Sequence, residues 1–124
     1  MVKQKFVYEA KVISVHDGDT ITVEIDLGFE MKFTDKIRFY GINAPELKIK
    51  DANGKMQINP KGMQTLSKVN EFLEPGDLIT IETIKDKKEK YGRYLANIFV
   101  EKDKSQICLN DYLLNNGLAV AIKY

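Results

Sequence analysis

The chain has a single cysteine, Cys108. No internal disulfide can form, and Leu109, Leu113 and Leu114 beside it suggest a buried apolar thiol, not a redox centre. No apolar stretch approaches the length of a bilayer span, which argues against a membrane-embedded protein. The first ten residues interleave Lys3, Lys5 and Glu9 with their apolar neighbours and lack the uninterrupted apolar core of a secretory signal. The expectation for the chain as written is a cytoplasmic protein, or a secreted one if a leader was removed. An excess of one charge is also missing. Nineteen Lys and Arg face 18 Asp and Glu, so a nucleic-acid partner has to be sought in local clusters and not in the net charge. Internal repeats and low-complexity tracts are absent. What remains, 44% apolar and 30% charged over 124 residues, suits one globular domain spanning 1–124, with a monomer as the default.

The apolar pattern predicts a mainly β chain with helices. Residues from Phe6 to Val15 are β-branched and aromatic, and Thr20 to Asp26 alternates Ile21, Val23 and Ile25 with polar neighbours, the period of half-buried strands. Asp17-Gly18 is the turn between them. After Leu27-Gly28 a third strand is expected from about Glu30 to Ile42, with Met31, Phe33, Ile37 and Phe39. Asn59-Pro60 starts a helix, Asn capping and Pro tolerated in the first turn. Met63, Leu66, Val69, Phe72 and Leu73 then recur at helical spacing until Pro75-Gly76. Leu78 to Thr83 and Tyr94 to Val100 give two further strands, joined by the charged loop Asp86 to Lys90. A short helix around Asn110 to Asn115 closes at Gly117 and leaves Leu118 to Ile122 as an apolar tail. Three strands, a helix and two strands match the order of a five-stranded OB-type barrel. Leu47 to Ile58 is a long polar segment with no clear period, bearing Lys48, Lys50 and Lys55. Loops of that length are usually functional or mobile.

Three short clusters hold chemistry-bearing side chains, and those of the first two each have two readings. Asp19, in Asp17-Gly18-Asp19-Thr20, is either part of an ordinary hairpin turn or an oxygen ligand for a hard cation such as calcium. Arg38 is either a structural ion-pair partner in an apolar strand or, pointing outward with Tyr40 and Ile42, a bidentate grip on a phosphate. Glu46, closing Asn43-Ala44-Pro45-Glu46, is either a plain surface carboxylate or a base for an attacking water. The third cluster is Tyr91-Gly92-Arg93. His16 reads as a solvent-facing imidazole at a strand end.

Taken in order, Asp-Gly-Asp-Thr, Arg, Ile-Asn-Ala-Pro-Glu, a helix, Lys-Tyr-Gly-Arg and a late Asn-bearing helix followed by Gly-Leu-Ala resemble the staphylococcal nuclease (thermonuclease) family over most of the chain. The resemblance implies an OB barrel with one central and one short C-terminal helix. It also implies calcium-dependent hydrolysis of DNA and/or RNA that leaves 3′-phosphate ends. Carried over by position, Asp19 is the principal metal carboxylate, Asn43 stands where a second acidic ligand is expected, and the backbone carbonyl of Ala44 completes the inner shell. Glu46 holds or deprotonates the water, Arg38 and Arg93 clamp the phosphate, and Lys90 and Tyr91 flank the phosphate end of a bound nucleotide.

The sequence departs from the family pattern at Asn43, where many relatives have aspartate. An amide oxygen still suits calcium but brings no charge, so weaker metal affinity is expected. The alternative reading is a catalytically inactive nuclease-like OB module that binds nucleic acid or protein, and retention of Asp19, Glu46, Arg38 and Arg93 argues against it.

Overall fold

The structure, a computed structural model, describes residues 6–88 and 92–122, the side chains of 85–88 excepted. Strands β1 (Val7–Asp17), β2 (Thr20–Gly28) and β3 (Met31–Phe39) form an antiparallel meander. Their alternate residues turn inward as the period-two pattern requires: Ala10 and Val12, then Ile21, Val23 and Ile25, then Ile37 and Phe39, all buried. Register shifts after Val12 and Val15 interrupt the β1–β2 ladder, and bulges of this kind bend a strand and increase its twist.

Chain direction changes sooner than the apolar pattern suggests. β3 ends at Phe39, and Gly41 at φ 80° turns the chain into a two-residue strand, β4 (Ile42–Asn43). That turn breaks the parity of Arg38, Tyr40 and Ile42, so that Ile42 is fully buried while Arg38 and Tyr40 are not. At the other end of β3, Met31 and Phe33 are exposed instead of joining the core, and Phe33 rests edge-on against Tyr94 at 6.0 Å.

The segment without a clear period is a hairpin, β5 (Lys48–Lys50) paired with β6 (Met56–Ile58). Helix α1 (Pro60–Phe72) begins as expected, with the Asn59 side chain accepting from the Lys61 amide at 3.2 Å. Its buried face keeps Val69 and Leu73 of the predicted stripe but, in the first half of the helix, uses Gly62 and Thr65 in place of Met63 and Leu66. Gly62, Thr65, Val69 and the capping Leu73 are buried, whereas Met63 is 39% exposed.

β7 (Leu78–Lys88) then pairs with β1 and with β8 (Tyr94–Lys102). β8 runs parallel to β3 over Ile37↔Tyr94, Arg38↔Leu95 and Phe39↔Ala96. This last pairing closes the order β3-β2-β1-β7-β8 into a five-stranded mixed barrel of OB type. A further strand, β9 (Ser105–Cys108), folds back on β8, and α2 (Leu109–Asn115) follows it. Cys108 is half-buried at the cap of α2, where burial raises its thiol pKa. The expected apolar tail is partly a strand. β10 (Val120–Ala121) pairs with β4, Val120 opposite Asn43 and Ala121 opposite Ile42.

The core is one cluster drawn from all five barrel strands, from Val69 and Leu73 of the α1 segment, and from Leu109 and Leu113 of α2. Asn110 is buried beside it with its amide fully used. It accepts from the Ile98 amide (2.9 Å) and donates to the carbonyls of Tyr40 (2.8 Å) and Ala96 (3.1 Å). One side chain thereby ties α2 to β8 and to the turn ahead of β4.

Candidate active site

The first turn is built around its glycine. Asp17 accepts the Asp19 amide at 3.0 Å, and a Cβ on Gly18 would lie 2.6 Å from the Thr65 methyl and 2.8 Å from the Ala44 Cβ. Glycine is therefore needed here for close approach: helix α1 and the segment after β4 both press on the turn. Thr65 also donates its hydroxyl to the Leu118 carbonyl at 2.6 Å, linking the C-terminal segment to the same point.

Asp19 is the centre of a hydrogen-bonded cluster. Its carboxylate accepts the Ala44 amide at 2.9 Å and the Thr20 hydroxyl at 3.1 Å, and the Arg38 guanidinium stands 3.3 Å away. The same Nη2 of Arg38 donates to Oδ1 of Asn43 at 2.8 Å. Arg93 donates to the Thr20 hydroxyl at 3.3 Å. Both arginines thus converge on one carboxylate, Arg38 directly and Arg93 through a threonine. The sheet explains the convergence, because Thr20 faces Arg38 across β2–β3, and Arg38 faces Leu95, two residues from Arg93, across β3–β8.

Burial sets the chemistry of Asp19. Its side chain is 7% exposed, and its pKa is raised from 3.8 to about 6. Desolvation is the largest cause, the neighbouring Asp17 adds to it, and the Ala44 amide and Arg38 oppose it. The carboxylate is held where its negative charge is poorly solvated and a positive group is strongly favoured.

Of the residues singled out from the sequence, Asp19, Arg38, Asn43, Ala44 and Arg93 come together. Glu46 lies exposed two residues beyond Ala44, and its carboxylate has no hydrogen-bond or ion-pair partner among the described residues. Its backbone is fixed: the Glu46 carbonyl accepts from Asn59 Nδ2 at 2.8 Å, and a Cβ on Gly62 would collide with it. Lys90 and Tyr91 lie outside the described residues. His16 is exposed and shares a 2.6 Å hydrogen bond with the Thr22 hydroxyl, apart from the cluster. The sequence reading did not assign Thr20 its linking role, nor Asn59 and Gly62 their hold on the Glu46 backbone. The capping pattern and the helical glycine were visible, but the carbonyl they meet is 13 or more residues away in the chain.

Known proteins include relatives of this chain. An uncharacterized protein of Methanocaldococcus jannaschii, MJ1439, is 32% identical over 125 aligned residues. The endonuclease YhcR of Bacillus subtilis is 34% identical over 117. Each alignment takes in 90% of this chain, which spans 58% of the length of the first relative and 9% of the second. Residues 36–124, which carry Arg38, Asn43, Glu46 and Arg93, match the family described as staphylococcal nuclease homologue, and the chain belongs to that family.

Proposed function

We propose that the chain is a calcium-dependent nuclease that hydrolyses phosphodiester bonds of DNA and/or RNA and leaves 3′-phosphate ends. The observation that carries this reading is the convergence of Arg38 and Arg93 on the buried Asp19. The name of the Bacillus relative, an endonuclease, supports it.

The donor set suits a hard cation. The Asp19 carboxylate, the Asn43 amide oxygen and the Ala44 carbonyl would hold it, and Glu46 would act through a water. All are oxygen donors of the kind calcium prefers. Among the described residues no three His, Cys, Asp or Glu side chains that could hold a metal come together, so the acidic groups beside an ion here would be few, Asp19 with its neighbour Asp17. When bound, calcium would polarise a phosphoryl oxygen and offset its charge.

The protein's own groups do the rest. The guanidiniums of Arg38 and Arg93 hold the phosphate and neutralise charge as the phosphorus becomes five-coordinate. Glu46 accepts a proton from the attacking water. The water oxygen bonds to phosphorus, the bond from phosphorus to the 5′ oxygen breaks, and that oxygen leaves as a hydroxyl after taking a proton from solvent.

One observation favours an inactive OB module that only binds. Arg38 already spans the oxygens of Asp19 and Asn43, so the carboxylate has an internal counter-ion. Incubating the purified chain with single-stranded DNA in millimolar calcium separates the two readings, with chelator and an Asp19→Ala, Glu46→Ala double variant as controls. Cleavage lost in both controls establishes the nuclease, whereas binding without cleavage establishes the inactive module.

A further inference from the structure

The β5–β6 hairpin begins two residues after Glu46 and takes no part in the barrel sheet. Directly opposed residues of an antiparallel pair share a face. The register Lys48↔Ile58 and Lys50↔Met56 therefore places two ammonium groups and two apolar side chains on one face. All four residues are exposed, Met56 by 52% and Ile58 by 65%.

A two-stranded ribbon is marginal by itself, but this one is fastened at both ends. At the tip, Asp51 accepts from the amides of Asn53 (2.9 Å) and Lys55 (3.0 Å) and from Gln57 Nε2 (3.1 Å). These backbone and side-chain hydrogen bonds hold its carboxyl below the ordinary aspartate value. At the base, Asn59 donates its amide to the Leu47 carbonyl and its side chain to the Glu46 carbonyl, both at 2.8 Å. The same asparagine caps α1. The hairpin is thereby tied to the backbone that presents Glu46.

We infer that this hairpin face is a binding surface for a single strand of nucleic acid running out of the active site, Lys48 and Lys50 meeting phosphates and Met56 and Ile58 meeting unpaired bases. The inference rests on the nuclease reading for its substrate class. Charge complementarity selects the occupant. Residues 47–58 hold three lysines against one aspartate, and that aspartate is turned into its own turn. Lys48 and Lys50 are two residues apart on one strand, roughly 7 Å, a spacing on the scale of neighbouring phosphates in an extended strand. Duplex DNA covers its base faces by stacking and would leave Met56 and Ile58 without a partner.

The test is binding of a fluorescent single-stranded dodecamer, of the same strand with abasic sites, and of a duplex, all in chelator so that nothing is cleaved. Lys48→Ala with Lys50→Ala should weaken binding of the intact and abasic strands about tenfold near physiological salt. It should also reduce the slope of log affinity against log salt by about 1.4, as expected for two lost phosphate contacts on a single strand. Met56→Ser with Ile58→Ser should weaken the intact strand about fivefold and leave the abasic strand unchanged. Wild-type affinity in both variants, or no binding of any strand by the wild type, overturns the proposal. Equal loss on intact and abasic strands in the Met56, Ile58 variant overturns the base contacts. Calcium-dependent cleavage by the wild type is scored separately, so a failure of the nuclease reading appears there and a failure of the hairpin assignment appears in chelator.

Discussion

A carboxylate that leaves water on folding makes the fold sensitive to pH. Asp19 titrates near 6 in the folded chain, against 3.8 for an unperturbed aspartate. The folded state therefore binds its proton more tightly than the unfolded state does. Its contribution to stability is fully present below about pH 4 and is lost as pH rises through 6, a loss on the order of 3 kcal/mol. Chemical denaturation in chelator should accordingly find Asp19→Asn more stable than wild type at pH 7.5, with the difference shrinking towards pH 4. A difference independent of pH would mean that Asp19 is not charged at a cost in the folded chain. The two arginines differ from His16 in the same local terms. Arg38→Ala and Arg93→Ala should each lower turnover by about a hundredfold or more, while His16→Ala, which removes a surface hydrogen bond to Thr22, should stay within about twofold of wild type. Steady-state kinetics on one oligonucleotide decides this, and a comparable loss in all three variants would break the assignment. At Asn43 the added charge of Asn43→Asp should lower the calcium concentration for half-maximal activity, because a second carboxylate strengthens an oxygen site. An unchanged requirement would remove position 43 from the ligand set.

Elements place these residues, and their legibility in the sequence differed for physical reasons. The barrel strands could be read because one face of each is packed and the other wet, which writes an alternation into Ile21, Val23 and Ile25. Asp19, Arg38, Asn43 and Arg93 could be found through a family likeness, but the Thr20 link and the β3–β8 pairing behind it join distant parts of the chain and leave no local signal. The hairpin β5–β6 is exposed on both faces, so nothing enforces a period. β4 and β10 have two residues each, too few to show one. The first half of helix α1 escaped the apolar reading because the face against the first turn uses Gly62 and Thr65, which are small instead of greasy. That choice has a measurable consequence. Gly62→Ala improves intrinsic helix propensity by about 1 kcal/mol, yet the new methyl meets the Glu46 carbonyl, and overpacking of this kind costs about 1–3 kcal/mol. The variant should lose stability and activity together, measured by thermal unfolding and turnover. A more stable, fully active Gly62→Ala would show that the helix does not press on the Glu46 backbone.

At the scale of the whole molecule the candidate site lies where the two ends of the fold meet. The first turn supplies Asp19, and the last strand, β10, pairs with the strand that carries Asn43. The Ile122 amide donates to the Gly41 carbonyl at 2.9 Å, and Leu118 receives the Thr65 hydroxyl that sits over Gly18. Through this pairing β10 acts as a strap on Ile42 and Asn43. Deleting residues 120–124 removes that strap while leaving Leu118, Ala119 and the barrel pairings intact. The lost backbone pairing is worth about 1–2 kcal/mol, which for a chain of this size lowers the unfolding midpoint by roughly 5 °C. With the strap gone, Asn43 and the Ala44 backbone are less well ordered against Asp19, and ordering them on ion binding then draws on the binding energy. The shortened chain should therefore need more calcium for half-maximal cleavage, and calcium should raise its unfolding midpoint less than it raises that of the full chain. If the midpoint falls while the calcium requirement stays at the wild-type value, β10 supports the barrel alone and the ligand segment is held by Asp19 and Arg38 without it.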